Sequence, residues 1–350
     1  MLNRQNGVCE MELSERKKKI LASIVEQYIK TGEPVGSNVL LKSLDFSVSS
    51  ATVRNEMSEL SEMGLLEQTH TSSGRVPTHK GYRYYVDELM SERTLDDEQR
   101  RRIDMMAGVH FNDPEKLLEA AGEILADITK CAVVSTTPSD SGAKIKKIEL
   151  IPIAKRTAIV ALLTSGGVLK NRVCRTDVEL TPEIVETFYR LSAENFVGRT
   201  VADIQTAMIQ SLVVSFGENS LMLSPIIITV ADLAKDVARS EVMLEGQTNL
   251  LKNDPTENTY EMLDFLKRSD IVNDLVSSGN DRISLYIGGE NPYRQLSNSS
   301  MIFSRYDIDG ANSGAFGIIG STRMDYASFL PSIKYLTDIV SDILRRTLEE

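Results

Sequence analysis

The stretch 49–78, SSATVRNEMSELSEMGLLEQTHTSSGRVPT, restricts the possible fold more than any other part of the chain. Within it, Val53, Met57 and Leu60 fall on one side at a 3.6-residue period, so we expect an amphipathic helix with that side against other helices. Gly64 then suits a left-handed helix end, and the segments LLEQTH, TSSG and RVPT read as two strands joined by a turn. We therefore predict a helix followed directly by a hairpin, or wing.

Two helical patterns precede this stretch. Residues 14–30 start with the N-cap candidate Ser14 and carry apolar residues at helical spacing, and residues 36–44 form a shorter helix. A turn, DFSVS, separates the second helix from the third. The order helix, helix, turn, helix predicts a helix-turn-helix module, here with a wing.

A helix of this kind enters the major groove of DNA with its first residues against the base edges. Small side chains there permit close approach, Arg54 can bond a guanine or a phosphate, and Asn55 can bond an adenine bidentately. The alternative is that Asn55 and Ser58 are only solvated helix residues. The predicted DNA-contacting residues of the helix are Ser49, Ser50, Ala51, Thr52, Arg54, Asn55 and Ser58.

The wing and the residues after it add further cations. Arg75 follows Gly74 at the predicted hairpin tip, where a narrow minor groove would attract an arginine. Lys80 and Arg83 are candidate phosphate contacts, with ordinary surface charge as the alternative. The run 17–19, KKK, reads equally as a phosphate patch or as a solvated helix face.

The charge distribution sets a condition on this interpretation. The chain of 350 residues has a net charge of −11, yet residues 1–85 carry 11 lysines and arginines against 10 acidic residues. The acidity therefore lies downstream. A DNA-binding domain with so little net charge must gather its cations on one face and gain contacts by dimerisation.

The length suggests two or three domains of about 100–200 residues each. No run approaches the ~20 apolar residues of a membrane span, and the amino-terminal stretch lacks the apolar segment of a secretory signal. Three separated cysteines, Cys9, Cys131 and Cys174, suit a reducing compartment. We expect a cytoplasmic protein that associates with the nucleoid when it binds DNA, and no membrane contact.

The remaining patterns predict a multidomain α+β protein. Residues 1–85 form the winged-helix domain, and 86–102 form a helical linker within a continuous helical pattern from Gly81. Three antiparallel strands and then helices make residues 144–238 a separate block. Since the strand CAVVST has no partner before this block, we expect 103–143 and 239–350 to form one α/β domain into which the block is inserted.

Residues suited to catalysis or metal binding are scarce. The three histidines, His70, His79 and His110, have no metal-ligand spacing, and the glycine-rich segments SGGV and GGENP match neither nucleotide-binding pattern. No nucleophile, base and orienting group can be assembled from spacing. We expect no enzymatic activity, no metal and no cofactor.

The segment GRVPTHKGYRYYVDEL, with the preceding SSATVRNEMSELSEMGLLEQTHTSS, resembles the start of the HrcA family of bacterial heat-inducible transcription repressors. The resemblance continues in LEGQTNLL, YIGGEN and GIIGSTRMDY, and so spans most of the chain. It implies a homodimeric repressor with a winged helix, a GAF-like domain and an inserted dimerisation domain.

The same resemblance implies partners. These are double-stranded DNA carrying an inverted-repeat operator called CIRCE, upstream of chaperonin genes, and the chaperonin GroEL, which would keep the repressor active until heat stress. Two alternatives stay open: a winged-helix regulator whose GAF-like domain binds a small effector, and a scaffold whose winged helix binds protein.

Overall fold

A computed structural model describes the chain in two compact units, one of residues 1–136, 242–306 and 315–344, the other of residues 137–241, 307–314 and 345–350. The predicted domain limits stay predictions. Residues described within these units are 12–46, 48–68, 74–109, 114–138, 142–165, 168–215, 220–253, 257–277, 281–308 and 313–349.

The amino-terminal module is a winged helix-turn-helix, as predicted. Its elements are α1 (Glu15–Thr31), α2 (Ser37–Ser43), α3 (Ser50–Glu62), β1 (Leu66–Gln68) and β2 (Arg75–Pro77). The two strands pair antiparallel. The predicted turn between them, TSSG, falls mainly on residues 69–73, which lie outside the described residues, as do His70, His110 and Cys9.

Local sequence signals explain the limits of these helices. Ser14 caps α1, with its Oγ 3.4 Å from the Lys17 backbone nitrogen, and α1 ends at Gly32, whose φ of +73° needs a residue without Cβ. Val53, Met57 and Leu60, which were predicted to face the other helices, are buried. Glu56 of α3 is buried as well, and its carboxylate accepts a hydrogen bond of 2.7 Å from Arg16 Nε, which ties α3 to α1.

The predicted continuous helix from Gly81 to Arg102 is wrong. Helix α4 (His79–Tyr84) passes into a π-helical turn, Tyr85–Leu89, and residues 90–96 have no regular structure before α5 (Asp97–Ala107). The break has a tertiary cause, because the Arg93 backbone N–H donates to Ala327 O at 2.9 Å instead of to a preceding carbonyl.

The remaining helices and strands follow in chain order. The helices are α6 (Pro114–Thr129), α7 (Pro182–Asn195), α8 (Thr206–Ser215), α9 (Ser220–Ala238), α10 (Gln247–Asn253), α11 (Glu257–Leu266), α12 (Ser269–Ser277) and α13 (Tyr326–Glu349). The strands are β3 (Ala132–Thr136), β4 (Ile145–Ala154), β5 (Thr157–Thr164), β6 (Leu169–Arg175), β7 (Val242–Glu245), β8 (Ile283–Ile287), β9 (Ser299–Asp307) and β10 (Ser313–Ser321).

A five-stranded sheet in the order β7-β3-β10-β9-β8 forms the centre of the first unit. Strand β3 is CAVVST without its first residue, and it pairs antiparallel with β7 and with β10, both from the carboxy-terminal part of the chain. Segments on either side of the central block therefore share one sheet. The mixed, multidomain α+β class is confirmed.

The second unit contains a three-stranded antiparallel sheet in the order β4-β5-β6. Alternate residues such as Ile148, Leu150, Val160 and Leu162 are buried in one core with α7 and α9. The residues between them point to the opposite face of the sheet. That face carries several exposed apolar side chains, as described below.

Candidate nucleic-acid interface

The amino-terminal end of α3 is fixed by its own hydroxyl groups. Ser49 Oγ accepts a hydrogen bond of 3.1 Å from the Thr52 backbone N–H, and the Ser49 and Thr52 hydroxyl oxygens lie 2.9 Å apart. Ser50 Oγ lies 3.4 Å from Ser37 Oγ on α2. These three predicted contact residues therefore cap and anchor the helix, and a duplex at this end would meet the positive end of the helix dipole.

The outer face of α3 carries the other predicted contacts, Ala51, Arg54, Asn55 and Ser58, and all four are exposed. Arg54 Nε donates to Ser37 Oγ at 3.3 Å, which holds the arginine along the α2 side of the helix. No side chain in the described part of the module bonds Asn55 or Ser58. Their amide and hydroxyl groups are available to a ligand outside the module.

Arg75 does not lie at the hairpin tip where it was predicted. It is the first residue of β2, opposite Gln68, and its backbone N–H and C=O both bond Val35. Its side chain turns toward α3, where Nε donates to Ser61 Oγ at 3.2 Å. Arg75 is half-buried. It therefore joins the wing to α3.

Lys80 and Arg83 both lie on α4, but only one of them faces solvent. Lys80 is exposed in the first turn, and none of the described residues pairs with it. The side chain of Arg83 is only 3% exposed. The predicted phosphate contact of Arg83 does not fit this burial, because its guanidinium is already bonded inside the protein.

Arg83 is held by groups on the five-stranded sheet. Its Nε donates to Glu290 Oε1 at 2.9 Å, and its second terminal nitrogen donates to the Leu285 carbonyl at 2.8 Å and also to Glu290. Asp87 lies 3.4 Å from the remaining nitrogen. Burial opposes the charge of Arg83, but the hydrogen bonds and charges of Glu290 and Asp87 together outweigh it and raise the pKa of Arg83.

His79 makes a second contact from the same face of α4, one turn before Arg83. Its Nδ1 accepts a hydrogen bond of 3.2 Å from the Gly289 N–H, and its ring fills the space that a Cβ on Gly288 would need. We call His79 and Arg83, together with 288–290, the α4 clasp. The clasp holds the winged-helix module against the sheet. The i, i+4 spacing of His79 and Arg83 was the only sequence signal for it.

The lysines at 17–19 form ion pairs in the structure. Lys17 lies 2.6 Å from Glu59, Lys18 lies 2.8 Å from Glu15, and Lys19 lies 2.8 Å from Asp45. These contacts favour the solvated-face interpretation over the phosphate patch. Among the described residues, no group of histidine, cysteine, aspartate and glutamate is arranged to hold a metal ion. None of the described helices is both long and apolar enough to cross a membrane.

Two family models match the chain. The model described as "Winged helix-turn-helix transcription repressor, HrcA DNA-binding" covers residues 12–89, and the model described as "HrcA protein C terminal domain" covers residues 115–330.

Curated relatives match over nearly the full length. The heat-inducible transcription repressor HrcA of Clostridium tetani is 34% identical over 345 residues, and that of Acetivibrio thermocellus is 33% identical over 344 residues; each alignment covers 97% of this chain and 98% of the relative. A solved structure described as a hypothetical protein at 2.2 Å resolution has a TM-score of 0.62 and 26% identity, covering 96% of this chain and 100% of that one. The relatives are named as transcription repressors, not as enzymes.

Proposed function

Because the chain belongs to the HrcA family of heat-inducible transcription repressors and carries its winged-helix DNA-binding domain, we propose that it represses chaperonin operons by binding a CIRCE-type inverted repeat as a homodimer. GroEL is the proposed partner that keeps the repressor active. Heat stress releases the operator, and repression takes place on the nucleoid in the cytoplasm.

The observation that carries the DNA-binding proposal is the two-sided character of α3. Val53, Met57 and Leu60 anchor one side in the module, while Arg54 and Asn55 stand on the other side next to a capped helix start. Guanidinium and amide groups are the side chains that read guanine and adenine edges bidentately. A rigid helix can present them to the major groove without disturbing its own packing.

An exposed apolar row supports dimerisation through the second unit. The register places Ile151, Ile159 and Val173 side by side across β4, β5 and β6. Ile151 is 48% exposed and Val173 is 59% exposed. Contiguous apolar surface of this kind marks protein contacts. Two copies joined about a two-fold axis present two α3 helices, which matches an operator that is an inverted repeat.

The proposed role of GroEL comes from the resemblance to the HrcA family, and the marginal stability of proteins, about 5–15 kcal/mol of unfolding free energy, is compatible with it. A repressor near that limit loses its active dimer with a modest rise in temperature, and chaperonin restores it. When unfolded proteins occupy the chaperonin during stress, the repressor is not restored. The degree of repression would thereby depend on how much chaperonin is not occupied by unfolded proteins.

The test is a fluorescence anisotropy titration of the full-length protein with a CIRCE-type repeat and with a scrambled duplex, at one salt concentration, with and without GroEL. We expect tight binding to the repeat alone, with a larger active fraction when GroEL is present. Equal weak binding to both duplexes would refute the operator proposal, and an active fraction unchanged by GroEL would refute the chaperonin step.

Variants separate base reading from phosphate contact. Asn55→Ala should lose about 1–3 kcal/mol on the repeat, roughly 5- to 150-fold in affinity, and relax selection at one base position. Lys80→Ala should weaken both duplexes alike and reduce the salt slope by about one. Lys116→Ala, an exposed lysine of α6, is the matched control. Equal losses on both duplexes for Asn55→Ala would contradict the α3 assignment.

The protein-scaffold alternative makes the opposite prediction. A scaffold would bind neither duplex specifically, and the Asn55→Ala and Lys80→Ala variants would leave its interactions with DNA unchanged. The same titrations therefore decide between the two classes.

A further inference from the structure

A cleft of about 1690 Å³ opens beside α1 within the first compact unit. One wall is formed by the carboxy-terminal half of α1, including Lys30. The other is formed by the turn that follows Pro292, including Arg294, and by the segment that leads into α13, including Arg323. The winged-helix module and the sheet thus both contribute side chains to the cleft.

The lining has a positive charge balance, although the whole chain has a net charge of −11. It contains five cationic and three acidic residues: Lys30, Arg93, Lys130, Arg294 and Arg323 against Glu26, Glu261 and Asp325. One of these pairs is satisfied internally, since Arg93 and Asp325 lie 2.9 Å apart. Lys130 lies 4.0 Å from Asp127, which is outside the lining. Lys30, Arg294 and Arg323 therefore remain against Glu26 and Glu261.

Arg323 is held in place without using its hydrogen-bond donors. Its Cζ lies 5.8 Å from the centroid of the Tyr28 ring, and its guanidinium occupies the space that a Cβ on Gly32 would fill. Within the described ranges, no carboxylate pairs with Arg323 and no acceptor takes its N–H groups. A guanidinium has five such donors in a fixed plane. Packing thus fixes the position of a guanidinium that lines the cleft.

Arg294 and Lys30 are two further cations that line the cleft. Both are exposed, and neither has a carboxylate partner among the residues that the structure describes. Guanidinium groups match the oxygens of phosphate bidentately, and an ammonium adds a point charge. Because three such cations line one cleft, the ligand that satisfies them carries several negative charges. We propose that this cleft binds a small ligand with two or more linked phosphate groups.

Binding in this cleft would act on α3 through α1. Lys30 of α1 lines the cleft, while Arg16 and Lys17 of the same helix bond Glu56 of α3. If the ligand binds one position of α1 more tightly than another, it changes operator affinity. The size of the change is set by the difference between those two ligand affinities. This coupling rests on the proposed repressor function, whereas the binding itself does not.

The first experiment is calorimetric titration of the full-length protein with pyrophosphate, without divalent cations and at fixed ionic strength. We expect Arg323→Gln and Arg294→Gln each to weaken binding at least tenfold. Arg199→Gln, which removes an exposed arginine of the second unit, should bind as the wild type does. Adenosine triphosphate binding tighter than pyrophosphate would support the proposal and assign the phosphates to a nucleotide.

Three results would overturn the proposal: no binding of either phosphate compound, equal affinity in all four proteins, or citrate binding as tightly as pyrophosphate. Arg294→Gln keeps the test valid if Arg323→Gln disturbs the end of α1. The coupling is tested by operator titrations with and without pyrophosphate, where a shift should appear in the wild type and vanish in Arg323→Gln. Failure of the wild type to bind operator at all would refute the proposed function and leave the cleft result standing.

Discussion

Replacing Arg83 by glutamine tests whether the α4 clasp holds the winged-helix module to the sheet. The change removes the donors to Glu290 and to the Leu285 carbonyl from a side chain that is 3% exposed. Removing one partner of a buried ion pair costs about 3–5 kcal/mol. Glu290 is 22% exposed and also accepts from the Ile287 N–H at 2.9 Å, so it is not left without a partner. We therefore expect the lower end, about 3 kcal/mol.

The assay is thermal and urea unfolding followed by circular dichroism. For a domain of 150–250 residues, about 3 kcal/mol corresponds to a midpoint lower by roughly 6–12 °C. Arg282→Gln is the matched control, because Arg282 pairs with Asp338 at the surface, where an ion pair contributes about 0–1 kcal/mol. Operator binding at low temperature should survive in the control and weaken in Arg83→Gln.

A double-mutant cycle isolates the pair itself. Glu290→Gln alone should also destabilise the protein, and adding it to Arg83→Gln should cost little more, since the interaction is already lost. A coupling energy under about 0.5 kcal/mol would refute the clasp, since independent sites add to within that margin. So would an Arg83→Gln midpoint equal to that of Arg282→Gln.

Three further predictions concern other sites. In urea unfolding, Gly288→Ala should destabilise the protein more than Gly64→Ala does. Both glycines have positive φ, but only at Gly288 does a side-chain ring occupy the space of the new Cβ, so equal losses of stability would contradict that packing. Val173→Asp should convert the proposed dimer to monomer in light scattering, while Val197→Asp, exposed elsewhere in the same unit, should not; a dimer that persists in both would exclude the β4-β5-β6 face. Burial raises the pKa of the Cys131 thiol to about 12, so at pH 8 iodoacetamide should alkylate it only after unfolding. Rapid alkylation of the native protein, measured by peptide mass spectrometry, would contradict this burial.

The winged-helix elements could be predicted from sequence because their determinants are local. Ser14 and Ser49 cap helices by accepting from the backbone N–H three residues later, and the apolar period of α3 identifies its inner side without any other part of the chain. The expectation that CAVVST and the carboxy-terminal strands share one domain had a different basis, the lack of a partner for CAVVST before the inserted block. The domain limits and the DNA contacts remain predictions.

Two of the errors, at Arg83 and in the helix expected from Gly81 to Arg102, concern residues whose partners are distant in the chain. Arg83 and Glu290 are 207 positions apart, so composition near Arg83 could only suggest a surface cation. Arg93 ends the predicted helix by bonding Ala327. Arg75 was placed at a turn from the composition of TSSG, whereas the ladder with Gln68 puts it inside the strand.

These long-range contacts bear on how heat would release an operator. The position of α3 depends on α1 through Glu56, and the position of the whole module depends on the clasp through Arg83 and His79. Half-sites of an inverted repeat are one helical turn of about 34–36 Å, or a multiple of it, apart, so two modules must keep a defined spacing to bind together. We therefore expect opening of the clasp to lower operator affinity, in addition to the proposed loss of the active dimer on heating.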